Sequence, residues 1–246
     1  METNKIYLGD CLELLDEIES GSVDLVVTDP PYEFSTAGAG TGIFKGRGES
    51  GVATYKEIGR NGLGAGIDIA LVCSQLVRVM KKINIYIWCN KEQIFSYLDF
   101  FVRGLGCNFE IIVWGKTNPP PFLGGHYLKD KEYCLYFWEK GVRVHPTYET
   151  GRTVYLSGLN VLDKADYGHP TCKPVDILEN LIKNSSEEGD LVLDCFCGSG
   201  STCVAAKRTG RKWIGFEINP EYHKIACDRI QGINARGEMN LFDLDW

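Results

Sequence analysis

The chain of 246 residues has no apolar run near the roughly 20 residues that a bilayer-spanning helix needs, which excludes such a helix. Its opening residues, Met1-Glu2-Thr3-Asn4-Lys5, are polar and lack the apolar stretch of a secretory signal, so a cytoplasmic protein is expected. Histidine is scarce, with 4 in all, and Cys195, Cys197 and Cys203 match no usual zinc spacing, so no metal site is expected. The 10 cysteines are therefore read as reduced thiols; Cys73, Cys89, Cys134, Cys203 and Cys227 fall in apolar patterns where a thiol acts as a small hydrophobe. An excess of positive charge is also missing. The net charge of −7 argues against general coating of nucleic acid but leaves room for a defined cleft. Basic residues cluster locally, as Lys45, Arg47, Lys56 and Arg60, and again as Arg143, Arg152 and Lys164. There is no internal repeat, and 44% hydrophobic with 24% charged residues is the composition of an ordinary folded domain.

Short apolar runs alternate with helical periodicity through most of the chain. Strands are expected at Lys5 to Leu8, Val23 to Val27, Asn84 to Trp88, Phe109 to Trp114, Glu132 to Trp138, Leu191 to Asp194 and Trp213 to Phe216. Helices are expected after Asp10, over Ile67 to Met80, from Ile94 to Val102 with Phe95 inward, and from Pro174, Ser201 and Pro220. Val23 to Val27 is nearly continuous in apolar residues, the mark of a strand buried on both faces. The strand at Glu132 follows its predecessor without a crossover helix and should be antiparallel to it. The resulting expectation is an α/β, doubly wound, mostly parallel sheet. Two stretches break the pattern: Phe34 to Gly66, with 10 of the 28 glycines, reads as a mobile loop or lid, and Val142 to His169 as a small inserted subdomain.

The chemistry concentrates where strands should end. Asp194-Cys195-Phe196-Cys197-Gly198-Ser199-Gly200 follows an apolar strand and precedes a helix, so its glycines let backbone approach a ligand at a helix N-terminus. Glu217 ends the next strand, where a carboxylate can grip ribose hydroxyls. By themselves these features do not separate NAD from S-adenosylmethionine, since both carry adenosine. Asp29-Pro30-Pro31-Tyr32 favours the second. An exocyclic amine on a base is a weak nucleophile because its lone pair is delocalised into the ring. Acceptors from Asp29 and the Pro30 carbonyl, held by two prolines of fixed φ, would draw on its hydrogens and free that lone pair, while Tyr32 offers a face for an extruded base.

These segments together resemble the beta class of amino-methylating DNA methyltransferases. Asp29-Pro30-Pro31-Tyr32 is similar to the family's catalytic tetrad in its adenine form, and Asp194 to Thr202 to its cofactor loop, with Cys195 in place of the usual proline and Ser201 in place of threonine. His169-Pro170-Thr171-Cys172-Lys173-Pro174, Gly215 to Tyr222 and Gly9-Asp10 are similar to its other cofactor segments. The order, tetrad first and glycine loop last, is that of the circularly permuted group. The resemblance implies Asp29, Pro30, Pro31 and Tyr32 as catalytic residues. It implies Asp10, Asp29, Thr171, Lys173, Asp194, Phe196, Gly198, Ser199, Gly200, Thr202, Glu217 and Asn219 as cofactor-binding, with Thr171 and Lys173 near the methionine carboxylate.

The expected organisation is one compact domain: a catalytic half over 1–115 with the loop at 34–66, a small DNA-recognition insertion over 116–168, and a cofactor half over 169–246. The expected function is methyl transfer from S-adenosylmethionine to the N6 amine of a flipped adenine in double-stranded DNA. Cytosine-N4 methylation, an inactive DNA-binding scaffold and a nicotinamide dehydrogenase are the alternatives, and a homodimer or a restriction endonuclease partner is left open. His126 and His145 are read as loop histidines. Tyr148, Tyr155 and Tyr167 serve either DNA stacking or the insertion's own core, and the tail from Asn240 to Trp246 is read as docking on the domain.

Overall fold

Leu25-Val26-Val27 lies in the middle of the sheet because it has no polar side chain to present to water. The computed structural model describes residues 1–32, 67–119, 127–142, 144–159, 167, 172–234 and 236–239. Among these, eight strands make one sheet: β1 (Lys5–Leu8), β2 (Leu25–Thr28), β3 (Asn84–Cys89), β4 (Asn108–Lys116), β5 (Lys131–Trp138), β6 (Val154–Ser157), β7 (Leu191–Asp194) and β8 (Lys212–Glu217). Their order is β1-β8-β7-β2-β3-β5-β4-β6, and β5 runs against its neighbours β3 and β4 while the remaining pairs are parallel. The glycine-rich stretch at 34–66, His126, Thr171 and the tail from Asn240 lie outside the described residues.

Alternation along the strands divides the core into two layers. Leu25, Val27, Tyr86, Trp88 and Cys134 face α4 (Val175–Ser185) and α5 (Ser201–Arg208). Val26, Ile85, Ile87, Leu135, Leu193 and Phe216 face α1 (Cys11–Asp16), α2 (Ile69–Val79) and the helix over 94–104. Side chains close the helix starts: Asp10 accepts from Leu12 N at 2.8 Å, Asp68 from Leu71 N at 3.0 Å, and Asn219, before Pro220 at the head of α6 (Pro220–Ile230), from Glu221 N at 2.8 Å. Covered on both faces, the sheet can be mostly parallel.

Two expectations need correction. The segment from 142 to 169 is not wholly a separate insertion, because Val154–Ser157 pairs in parallel with β4 as the sheet's edge strand. Its alternating exposure, with Val154 and Leu156 outward, hides it from a search for apolar runs. The helix after β3 is α only over Ile94–Leu98 (α3) and continues as a π-helical turn over Asp99–Gly104. Tyr97 and Phe101, four residues apart, form the inward face, and Phe95 is 80% exposed.

All ten cysteines are free thiols, and Cys197 and Cys203 show why small side chains are needed there. A Cβ on Gly215 of β8 would lie 2.8 Å from Cys203 Sγ and 3.2 Å from Cys197 Sγ. Both thiols belong to the glycine turn and to the helix behind it. Gly215→Ala should therefore destabilise the fold by about 1–3 kcal/mol through overpacking, read as a lower urea midpoint at unchanged slope.

Candidate active site

In an open α/β sheet the ligand crevice lies where neighbouring strands send their connections in opposite directions. Here that point is between β7 and β2. From β7 the chain moves outward to β8, and from β2 it moves the other way to β3. Asp29 to Tyr32 leave the end of β2, and Asp194 to Gly200 leave the end of β7. The two segments are pinned together by Thr28, whose hydroxyl donates to Asp194 Oδ1 at 2.8 Å.

On the β7 side, Asp194 organises the turn. Its carboxylate also accepts from Phe196 N at 3.1 Å and from the Thr202 hydroxyl. Gly198 and Gly200 take φ of 51° and 78°, the left-handed region, and a Cβ on Gly200 would lie 3.1 Å from Ala226 Cβ. Glu217, at the end of β8, accepts from Gly198 N through one oxygen and from Asn219 N through the other, both at 2.8 Å. Gly9 N bonds to Glu217 O at 2.9 Å, which sets Asp10 beside the same strand end. A glycine turn, a helix N-terminus and a strand-end carboxylate with lone pairs to spare suit an adenosine-bearing cofactor. The Ser199 and Asn219 side chains are turned to structural work: Ser199 takes a 3.2 Å hydrogen bond from buried Arg229, and Asn219 caps α6. Arg229 also donates to Ser201 Oγ at 2.9 Å and lies over the Tyr167 ring, so Tyr167 is core. Tyr155 bonds to Asn180, Tyr148 is 94% exposed, and His145 pairs with Glu187 at 3.0 Å.

Burial pushes the Asp194 carboxyl up to about 6 against its hydrogen bonds. An acid raised in this way stabilises the fold fully below its unfolded value near ~3.9 and loses that contribution as pH rises through its folded value. Asp194→Asn has no such titration. Its stability relative to wild type should rise between pH 4 and pH 7, by up to about 3 kcal/mol in urea unfolding.

On the β2 side, Asp29 Oδ1 accepts from the Tyr32 hydroxyl at 2.7 Å. Gln93, unremarked in the sequence, is buried before α3 and donates to Pro31 O at 3.3 Å, fixing the tetrad's exit. Lys173, implied by the resemblance to bind the cofactor, lies on the tetrad. The structure holds its ammonium on Asp29 Oδ2 and 3.2 Å from Glu132 Oε2, with Trp88 and Tyr32 rings at 5.3 and 5.6 Å. The reason is electrostatic: a lysine with only 6% exposure stays charged only beside carboxylates, and the pair pushes its ammonium well up despite burial. Glu132, also missed, pairs at 2.5 Å with Lys116 on the neighbouring strand. It was open to inference as an acid on the same strand face as Cys134, Tyr136 and Trp138. Burial raises Asp29 above the ordinary carboxylate range, and Glu132 adds to this while Lys173 opposes it. Among the described residues, no group of three or more His, Cys, Asp or Glu side chains could hold a metal ion, and no helix is long and apolar enough to cross a membrane.

An acceptor carboxylate and an aromatic ring on one side of a switch-point crevice, with a glycine turn at a helix N-terminus on the other, suit a cofactor-dependent group-transfer enzyme. Residues 23–228 match the family model described as DNA methylase. The chain is 31% identical to the type II methyltransferase M2.LlaDCHI of Lactococcus lactis subsp. cremoris, over 90% of this chain and 87% of that protein. It is 28% identical to the type II methyltransferase M1.MboII of Moraxella bovis, over 90% and 94%. Its fold is similar to that of M1.HpyAVI crystallised as a SAM complex, with a TM-score of 0.66, 24% identity and coverage of 92% and 98%. The cytosine-N4-specific PvuII DNA methyltransferase follows with a TM-score of 0.64, 20% identity and coverage of 92% and 86%. The chain belongs to the DNA methylase family and is a DNA amino-methyltransferase.

Proposed function

We propose that this protein transfers a methyl group from S-adenosylmethionine to the N6 amine of an adenine flipped out of double-stranded DNA. The observation that carries this reading is the placement of Asp29 and Tyr32 across the β2/β7 crevice from the Glu217-anchored glycine turn. When bound, the cofactor supplies a methyl group activated by its sulfonium charge. Glu217 and the Gly198 turn would hold it, with Asp10 at its adenine end. Asp29 accepts one hydrogen of the substrate amine and the Pro30 carbonyl the other, which localises the lone pair on nitrogen. The nitrogen would take that methyl group from the sulfonium, whose sulfur would keep the bonding pair, and the amine would release one proton to Asp29 or water. Tyr32 stacks on the base, and its hydroxyl keeps Asp29 oriented.

Adenine is favoured over cytosine by Asp29-Pro30-Pro31-Tyr32, which resembles the adenine form of the family's tetrad. Digestion of DNA treated with the purified protein, followed by nucleoside mass spectrometry, tests this. N6-methyladenine is expected; N4-methylcytosine in its place would overturn the choice of base.

A further inference from the structure

A substrate amine that donates to Asp29 competes there with a buried lysine, and must share its oxygen or displace it. In this structure Lys173 sits on Oδ2 of Asp29, the oxygen not used by Tyr32. The same ammonium is 3.2 Å from Oε2 of Glu132. That oxygen is buried and makes no hydrogen bond among the described residues, whereas Oε1 is taken by Lys116 at 2.5 Å. A buried carboxylate oxygen with a cation at 3.2 Å and no aligned hydrogen bond is an acceptor left incomplete. A small rotation of the lysine side chain would complete it and uncover Asp29 at the same time.

We propose that Glu132 is a positioning residue for methyl transfer: it receives the Lys173 ammonium when a substrate amine displaces it from Asp29. The lysine then never becomes an unpaired buried cation, whose cost would otherwise oppose entry of the base. Lys116 holds Glu132 from the far side and sits 5.0 Å from the Trp114 ring, so the carboxylate stays in place while the lysine moves. Four alternating charges, Asp29, Lys173, Glu132 and Lys116, keep the cluster neutral in both arrangements. The inference rests on the methyltransferase reading, since it presumes an amine substrate at Asp29.

The test compares wild type with Glu132→Gln in single-turnover methyl transfer across pH, beside calorimetric S-adenosylmethionine binding. The ionisable groups facing Asp29 are Tyr32, Lys173, Glu132 and Cys134 on β5, Cys89 on β3, Tyr97 on α3 and Asp194 on β7. Glu132 adds a negative charge near Asp29, and its removal also leaves Lys173 wholly to Asp29. Both effects favour the ionised aspartate, so the acid limb should move to lower pH by about one unit. The plateau rate should nevertheless fall by about 10- to 100-fold, because the lysine has nowhere to go, while cofactor affinity stays within about twofold.

A merely structural Glu132 would lower rate and cofactor affinity together. That result would overturn the proposal, as would a variant with wild-type rate and limb. If Glu132→Gln does not fold, Glu132→Asp serves instead. It keeps the charge but shortens the reach, so a lower rate with an unmoved limb is expected, and an unchanged rate overturns the proposal. Absence of transfer by the wild-type protein would overturn the methyltransferase reading itself, whereas transfer by wild type with an indifferent Glu132 overturns this role alone.

Discussion

Asp29→Ala is expected to lower methyl transfer to DNA by about a thousandfold while S-adenosylmethionine binding stays within about threefold of wild type. The alanine removes the carboxylate at the end of β2, the proposed acceptor for the amine hydrogen. The glycine turn is organised from the other side of the crevice by Asp194 and Glu217, so it should persist. Lys173 keeps Glu132 as a partner, so the variant does not strand a buried cation and should fold. A rate near wild type would remove Asp29 from the chemistry. Equal loss of rate and cofactor affinity would make it a structural residue of the crevice.

Glu217→Ala is expected to have its large effect on cofactor affinity. Each carboxylate oxygen holds a backbone N–H, one at Gly198 and one at Asn219, and hydrogen bonds to an ionised acceptor contribute about 1.5–3 kcal/mol each. Losing them frees the turn and removes the carboxylate proposed to hold the cofactor, so the cofactor Kd should rise by about 100-fold or more. Glu217→Gln should fare little better, because its NH2 group would face one of two backbone donors. Burial raises the Glu217 carboxyl against those same N–H donors, so wild-type affinity should begin to fall, on acidification, at a higher pH than for an ordinary glutamate. Calorimetry on the three proteins checks both statements. A glutamine variant that binds as tightly as wild type would contradict them.

The parts of this molecule that are legible in its sequence are those set by local physics. β2 and β3 are buried from end to end, and β7 at all but its first residue, so they announce themselves as apolar runs, and the glycines at 198 and 200 mark a turn that needs positive φ. The antiparallel β5 follows from the missing crossover helix. What escaped depends on distance or on weak periodicity. Lys173 and Asp29 are 144 residues apart in the chain, and Glu132 joins them only through the register of β5 against β3 and β4. The edge strand β6 has one wet face, and the helix over 94–104 turns Tyr97 and Phe101 inward rather than Phe95. A motif can bring the tetrad and the glycine turn to notice separately; the hydrogen bond from Thr28 to Asp194 is what makes them one site.

The most direct test of the account is transfer of tritium from methyl-labelled S-adenosylmethionine to double-stranded DNA by the purified full chain, with Asp29→Ala in parallel. Label in the DNA with wild type, and none above background with a variant that still binds the cofactor, is the predicted result. A wild-type protein that binds S-adenosylmethionine and leaves the DNA unlabelled would contradict it.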